Sequence, residues 1–286
     1  MAFNFSVFRV RAISAIIFAA IMIGGILWNQ WSFLVLFTVI QFGCLFEYQK
    51  LMSKIEPEYA RISTLHKWGA LLLGVCIMFA LSSTNLKIKE VSIAKVGRYA
   101  ALVVVVAVLL ADLFSKKLNF KAITITVVGL IYVSMGLSLF FQLRALMSES
   151  IFGDMGYAIP LLLIVSIWVN DTAAYLVGSF VGRTPLSSIS PNKTWEGTIA
   201  GIILTVILVT KVMGAYIPLN EKVIFLVSFV ASVAGTIGDL AESKLKRLAN
   251  VKDSGKMMPG HGGFLDRFDS ILLATPFVWL LIQILY

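Results

Sequence analysis

Long apolar runs recur along almost the whole sequence. A run of about 20 apolar residues is long enough to cross the roughly 30 Å of hydrocarbon in a bilayer. Because the backbone polar groups of a lipid-exposed segment must be satisfied within that segment, such runs fold as helices. With 59% apolar and 14% charged residues, the sequence predicts an all-α polytopic membrane protein with about nine transmembrane helices. The predicted spans lie near 12–28, 31–48, 68–84, 97–114, 122–142, 157–178, 197–215, 222–240 and 270–286.

The basic residues predict the orientation of these helices. Nine spans place the two termini on opposite sides, and 17 of the 24 Lys and Arg residues are cytoplasmic if the N-terminus is cytoplasmic. Basic loops favour the cytoplasm, so we expect a cytoplasmic N-terminus, although the loop between the third and fourth spans is also basic. The net charge of +9 follows from this topology and from anionic lipid headgroups, so it indicates no nucleic-acid partner.

Ionisable residues divide the chain into two regions. Residues 1–150 carry few of them within the spans, and we interpret this region as transmembrane helices for packing or dimerisation. Residues 151–286 carry polar groups on almost every span, which predicts a catalytic transmembrane region with a cytoplasm-facing site. In the first region, His66 is expected in a loop and Asp112 near a helix end, both with structural roles. Glu47, at the inner end of the second span, is not assigned to the site.

Asp171 is the first candidate of the functional region. It follows Asn170 in the middle of the sixth predicted span. An ionisable group at membrane depth costs at least about 2.5–3.5 kcal/mol on insertion scales, so its presence indicates a function by default. A structural hydrogen bond to a neighbouring helix is the alternative.

The polar segment 187–198, SSISPNKTWEGT, is the second candidate. Its hydroxyl, amide and Lys193 donors suit an anion, and Thr194 is placed to cap the following helix. Such a cap brings backbone N–H groups and the positive end of the helix dipole near a bound phosphate. An ordinary capped helix start remains the alternative.

The acidic residues of segment 239–269 form the third candidate. Asp239 and Glu242 are three residues apart, as are Asp266 and Asp269, so each pair shares a face if its segment is helical. Paired carboxylates repel one another unless a cation lies between them. Oxygen ligands without cysteine favour Mg²⁺ over zinc.

The same segment holds glycine and basic residues between its acid pairs. Gly262 and Gly263 allow a backbone to approach a ligand closely. For His261 a turn and a catalytic role remain open, and for Arg267 an internal ion pair and a substrate contact. Phosphate binding and a solvated basic loop are both open for Lys244, Lys246, Arg247, Lys252 and Lys256. These residues together predict a Mg²⁺-dependent site for a phosphorylated substrate, without naming that substrate.

The pattern from Ser243 to Asp269, S-x-L-K-R-x4-K-D-x-G-x2-M-P-x-H-G-G-x2-D-R-x-D, resembles the signature of the phosphatidate cytidylyltransferases, or CDP-diacylglycerol synthases. One departure is Met258, where the family usually has Ile or Leu. The upstream segments S-P-N-K-T-W-E-G and N-D-T-A-A-Y-x-x-G are similar to other family elements, in the expected order. The resemblance in motifs covers about residues 165–270.

This resemblance implies an enzyme that makes CDP-diacylglycerol and pyrophosphate from CTP and phosphatidic acid with Mg²⁺, and with a second cation beside it. It also implies a homodimer. The short chain suits a bacterial inner membrane, and the distribution of basic residues places the site on the cytoplasmic side. The implied metal ligands are Asp239, Asp266 and Asp269. The other implied catalytic residues are Lys252, Asp253, His261 and Arg267. The implied substrate-binding residues are Asp171, Ser190, Asn192, Lys193, Thr194, Lys246, Arg247, Gly262 and Gly263.

Two other functions remain open at this point. A cation-coupled transporter also carries acidic residues at membrane depth and helices broken near the midplane. A related enzyme that uses CTP on another lipid phosphate or on a lipid alcohol would share most of the motifs. Substrate accumulation in sealed vesicles would indicate the transporter, and activity with another lipid acceptor would indicate the related enzyme.

Overall fold

The computed structural model of the chain describes residues 5–82, 86–114, 119–146, 154–257 and 262–285. His261 and Met258 therefore lie outside the described residues. Strands β1 (Lys87–Ile88) and β2 (Val91–Ser92) form an antiparallel pair in which Lys87 lies opposite Ser92. The helices are α1 (Phe5–Leu27), α2 (Gln30–Ile55), α3 (Pro57–Ala60), α4 (Thr64–Ala80), α5 (Ile93–Phe114), α6 (Phe120–Gly129), α7 (Gly136–Ala145), α8 (Ala158–Val181), α9 (Trp195–Gly214), α10 (Glu221–Leu248) and α11 (Leu265–Leu285), with a π-helical segment Leu130–Met135 between α6 and α7.

Most of these helices are long and apolar. Among the described residues, seven continuous helical segments have the length and composition to cross a membrane: α2, α5, the run from α6 to α7, and α8 to α11. The segments Ala12–Leu27 and Thr64–Ala80 are apolar but shorter. Each predicted span falls on one of these nine segments, so the all-α polytopic membrane class is confirmed. The number of crossings and the cytoplasmic N-terminus stay predictions.

The chain divides into two compact units. Unit 1 comprises Met1–Phe141 and Leu248–Phe268, and unit 2 comprises Gln142–Arg247 and Asp269–Tyr286. Unit 1 thus includes the described residues between α10 and α11, which we call the signature loop (residues 249–257 and 262–264). The assignment of packing to residues 1–150 and of catalysis to 151–286 stays a prediction.

Unit 1 has an aromatic core at one end of α2. The rings of Phe33 and Phe140 stack at 5.5 Å between centroids, and Phe37 lies 4.8 Å from Phe140. Offset and tilted ring pairs at these distances add to the burial of apolar area. This core fixes α2 against α7, and α2 carries Glu47 further along its length.

A buried polar network in unit 1 corrects the expectation for His66. The residue lies in the first turn of α4, not in a loop, and it is buried. Its Nδ1 pairs with Asp112, which is also buried and lies near the end of α5 as predicted, and its Nε2 lies 2.9 Å from Thr126 Oγ1. Buried polar groups cost free energy unless they are hydrogen-bonded, so the three side chains stabilise one another. The structural role predicted for both residues fits this network.

Unit 2 contains a close helix pair. A Cβ on Gly201 would lie 2.8 Å from Ala174 Cβ, and one on Gly197 would lie 2.6 Å from the Ala174 carbonyl oxygen. Small residues of this kind let α8 and α9 pack closely, as is usual in membrane helix pairs. The approach holds the start of α9 against the last two turns of α8 and so positions the loop that joins them.

Candidate active site

The loop between α8 and α9 is held at both ends by hydrogen bonds. Thr194 caps α9 by accepting a hydrogen bond from Gly197 N at 3.2 Å, as the sequence predicts. The Glu196 carboxylate accepts from Arg183 N at 3.1 Å and from Thr184 N at 3.2 Å. Both ends of the loop are therefore hydrogen-bonded to the first turn of α9, which restricts the position of Lys193.

Lys193 contacts the first acid of α10. Its Nζ forms an ion pair with Asp239 Oδ2, and Ser243 Oγ donates to Asp239 Oδ1 at 3.3 Å. Lys193 N donates to the Ser190 carbonyl oxygen at 3.1 Å, which fixes the backbone beneath the lysine. The structure thus brings together one residue assigned to phosphate and one assigned to metal.

Two further acids belong to the same unit. Glu242 is fully buried and pairs with Lys246 Nζ at 2.5 Å. Asp269, 7% exposed, experiences the charges of Asp239, Glu242 and Lys246, and its Oδ1 accepts from Ser270 N at 2.6 Å. The first acid pair shares a helix face as predicted, because α10 continues to Leu248. We call this group the Asp239 cluster; its members are Lys193, Asp239, Glu242, Ser243, Lys246 and Asp269.

The donor set of the Asp239 cluster suits a hard cation. Three carboxyl groups and two lysines meet in the cluster, so possible oxygen ligands outnumber the ammonium groups. Carboxylate oxygens are the ligands that Mg²⁺ prefers. In the part of the chain that the structure describes, no three His, Cys, Asp or Glu side chains converge as a metal-ligand shell. Lysine ammonium groups instead contact Asp239 and Glu242.

Asp266 lies in unit 1 and is anchored by the signature loop. Its Oδ2 accepts from Ser254 N at 2.9 Å and from Gly263 N at 2.7 Å, and it lies 2.9 Å from Ser254 Oγ. Gly262 has a φ of +84°, a conformation that glycine adopts far more readily than other residues. Gly262 therefore bends the chain where the Gly263 N–H donates to Asp266, in the first turn of α11.

Glu47 contacts the signature loop, although the sequence did not assign it to the site. It is 6% exposed, and its Oε2 lies 2.7 Å from Ser254 Oγ and accepts from Leu265 N at 2.9 Å. A Cβ on Gly255 or Gly263 would overlap the Glu47 carboxylate. The Ser254 hydroxyl thus lies between the carboxylates of Glu47 and Asp266, and α2 fixes the signature loop through one buried acid.

Comparison with known proteins identifies the family. A sequence model of the Cytidylyltransferase family matches residues 9–285. The chain belongs to this family. The phosphatidate cytidylyltransferase of Bacillus subtilis (strain 168) is 38% identical over 168 residues, which cover 58% of this chain and 60% of that protein. That of Staphylococcus epidermidis (strain ATCC 12228 / FDA PCI 1200) is 38% identical over 173 residues, 59% of this chain and 63% of that protein.

A third relative extends the comparison to another bacterial group. The phosphatidate cytidylyltransferase of Synechocystis sp. (strain ATCC 27184 / PCC 6803 / Kazusa) is 41% identical over 133 residues, 46% of this chain and 45% of that protein. The chain spans about three fifths of the length of the first of these relatives. The family resemblance drawn from the signature is confirmed.

The remaining candidate site residues of the chain lie at the surface or outside the described residues. Asp171 is exposed on α8, while Asn170 beside it is buried and donates to Thr236 Oγ1 at 3.2 Å. No feature of the described residues assigns a chemical role to the following exposed residues: Asn192, Arg247, Lys252, Asp253 and Arg267. The predicted role of His261 falls outside the described residues.

Replacing Glu47 tests its role in fixing the signature loop. We expect Glu47→Ala to destabilise the protein by about 1–3 kcal/mol, because it leaves the buried Leu265 N–H without its acceptor and removes one of the two carboxylates beside the Ser254 hydroxyl. Thermal unfolding in detergent measures the change, and limited proteolysis shows whether the loop opens first. Glu58→Gln is the matched control, since Glu58 is exposed and accepts one hydrogen bond from Asn119. Equal unfolding temperatures for Glu47→Ala and the control would contradict this role.

Proposed function

We propose that the chain transfers the cytidylyl group of CTP to phosphatidic acid, giving CDP-diacylglycerol and pyrophosphate in phospholipid biosynthesis. The observation that carries this proposal is the family match over residues 9–285, together with relatives that are named phosphatidate cytidylyltransferases. The signature from Ser243 to Asp269, within the matched residues, also supports it, because this pattern has many specified positions.

The reaction is a direct displacement. A phosphate oxygen of phosphatidic acid attacks the α-phosphorus of CTP, a new P–O bond forms, and the bond to the β-phosphate oxygen breaks as pyrophosphate leaves in line. The lipid phosphate is largely ionised near pH 7, because the second pKa of a phosphomonoester is about 6. The protein therefore needs no strong general base, and its main task is to position two anions and offset their repulsion.

The basic residues of the Asp239 cluster suit that task. Lys193 lies on a loop tied to the capped start of α9, and we propose that it exchanges Asp239 for a CTP phosphate when the nucleotide binds. Lys246 supplies a second positive charge from α10. Asp239 then becomes available to a cation.

Mg²⁺ belongs to the proposal as the cation held by acids of α10 and α11. The resemblance of the signature names Asp239, Asp266 and Asp269 as candidate ligands. The three carboxylates of the Asp239 cluster support one cation in unit 2, and a second cation is part of the same proposal. When bound, Mg²⁺ supplies charge neutralisation for the phosphates of CTP and of the leaving pyrophosphate.

The apolar helices suit a lipid substrate. Acyl chains remain in the bilayer while the headgroup meets CTP from solution, so the site belongs where the membrane and the aqueous phase join. The distribution of basic residues supports the cytoplasmic side, and the bacterial relatives support a bacterial membrane, which we propose to be the inner membrane. A homodimer is part of the same proposal, and no nucleic acid takes part.

Lys193→Ala tests the nucleotide contact. We expect the KM for CTP to rise about tenfold or more, because hydrogen bonds to charged groups contribute about 1.5–3 kcal/mol, while the KM for phosphatidic acid changes little. Steady-state kinetics in mixed micelles separate the two constants. Lys211→Ala removes an exposed lysine that pairs with Glu221 and serves as the control. An unchanged CTP dependence in Lys193→Ala would remove this residue from the nucleotide site.

The whole activity is tested by pyrophosphate release from detergent-purified protein. We expect release to require CTP, phosphatidic acid and Mg²⁺ together. Release with a different lipid phosphate or a lipid alcohol, but not with phosphatidic acid, would indicate the related enzyme. Substrate accumulation in sealed vesicles without any nucleotide requirement would instead indicate a transporter.

A further inference from the structure

Unit 1 contains a cavity of about 510 Å³ between α2, α4 and the beginning of the signature loop. This volume lies within the range of pockets that bind small molecules. The cavity could not be predicted from the sequence, because residues 253–254 lie far along the chain from the other two lining segments, 46–54 and 64–71. We call it the lysine pocket, after Lys50, Lys54 and Lys67.

The lysine pocket has an apolar side. Phe46 and Leu51 of α2 and Trp68 and Leu71 of α4 line it, and Trp68 remains 52% exposed. An exposed tryptophan beside lysines is typical of the membrane interface, where an apolar ring lies next to polar headgroups. This side of the pocket suits the glycerol and upper acyl region of a lipid.

The other side is basic. Lys67 Nζ donates to Ser53 Oγ at 3.3 Å and to the Ala60 carbonyl oxygen at 3.2 Å, so its ammonium is held at the pocket. Lys50 Nζ lies 4.3 Å from the centroid of the Phe46 ring. Three lysines line the pocket against one acid, Asp253, which leaves a positive excess that suits a phosphate.

The lysine pocket also adjoins the anchored part of the signature loop. Ser254 lines the pocket, and its hydroxyl lies 2.9 Å from Asp266 Oδ2. A phosphate bound by the lysines would therefore lie next to the loop that carries the most specific motif of the sequence. The preference of basic loops for the cytoplasm explains how many lysines occur here, but not their grouping around a cavity with an apolar wall.

We propose that the lysine pocket binds the phosphate headgroup of an anionic phospholipid, with the phosphate at Lys50, Lys54 and Lys67 and the glycerol region against Trp68. The identification of this lipid as the substrate phosphatidic acid rests on the proposed function. The binding itself rests on the cavity, its two chemical sides and its charge.

A double variant tests the pocket without requiring turnover. Lys50→Gln with Lys54→Gln removes two charges and leaves the hydrogen bonds of Lys67 to Ser53 and Ala60 in place. The probe is phosphatidic acid with brominated acyl chains, which quenches tryptophan fluorescence; the difference between the protein and its Trp68→Phe variant isolates the signal from the pocket. Without CTP and Mg²⁺, we expect the double variant to need about tenfold more lipid for half-maximal quenching.

The matched control is Lys211→Gln with Lys222→Gln, which removes two exposed lysines that do not line the pocket. We expect its quenching curve to match that of the unaltered protein. Brominated phosphatidylcholine, which has no net charge, should quench the two double variants equally. The proposal fails if the pocket variant binds phosphatidic acid as tightly as the control, or if CTP displaces the lipid from Trp68, which would make the pocket a nucleotide site.

The result is separable from that of the proposed function. If the pocket variant loses lipid binding while the unaltered protein forms no CDP-diacylglycerol, the lipid site is supported and the proposed reaction is rejected. If the unaltered protein forms CDP-diacylglycerol while the pocket variant binds lipid normally, the proposed reaction is supported and the lipid site is rejected.

Discussion

Asp266→Asn is expected to lower the rate of CDP-diacylglycerol formation by at least about 100-fold, the range seen when one preorganised charge or dipole is lost from an active site. The amide has nearly the size of the carboxylate, and its oxygen can still accept hydrogen bonds from Ser254 N and Gly263 N. The fold of the loop should therefore persist while the negative charge proposed to hold Mg²⁺ is lost. Initial rates over a Mg²⁺ series measure the effect.

The control for this experiment is Glu221→Gln, which removes the charge of an exposed acid paired with Lys211. We expect it to leave the rate and the Mg²⁺ dependence unchanged. Thermal unfolding of Asp266→Asn should stay close to that of the unaltered protein. Full activity of well-folded Asp266→Asn would contradict the assignment of Asp266 as a metal ligand.

Gly263→Ala is expected to lower both stability and activity. The added Cβ would overlap the Glu47 carboxylate, and neither group can move freely because Glu47 is buried and Gly263 N donates to Asp266 Oδ2 at 2.7 Å. Overpacking of this kind costs about 1–3 kcal/mol. Because relief of the overlap displaces the loop from α11, we expect activity to fall more steeply than stability, and parallel unfolding and rate measurements show the difference.

Gly24→Ala in α1 is the matched control, since a Cβ there meets no atom within 4 Å. Alanine is also favoured over glycine within a helix, so this variant should be as stable as the unaltered protein or slightly more stable. Equal behaviour of Gly263→Ala and Gly24→Ala would show that the signature loop does not need a glycine at 263.

The helices were predictable because hydropathy and the bilayer thickness act locally along the chain. The end of α10 was harder to predict. Residues 241–248 are mostly polar or charged, so their hydropathy is typical of a loop, but they continue the helix by two turns. The spacing of the acids did indicate a helix here, because Asp239 and Glu242 are three residues apart and share a face if the segment is helical. The cap at Thr194 was predictable for the same reason, since it depends on neighbouring residues.

Contacts between distant segments were not predictable from a single sequence. Glu47 and Ser254 are 207 positions apart, and no spacing rule links them. The available signal was an acid in an otherwise apolar stretch, FGCLFEY, which indicates a buried partner without naming it. The contact of His66 was unpredictable for the same reason. Its polar sequence neighbours are typical of a loop, and its partner Asp112 lies in another helix.

The most direct test of the proposed reaction follows the α-phosphate of CTP. Purified protein is incubated with Mg²⁺, phosphatidic acid and CTP labelled with ³²P at the α-position, and in a parallel reaction with CTP labelled at the γ-position. We expect α-label to enter a lipid that migrates as CDP-diacylglycerol, and γ-label to appear only in pyrophosphate. Label from the γ-position in lipid, or no lipid label from folded protein that binds CTP, would contradict cytidylyl transfer to phosphatidic acid.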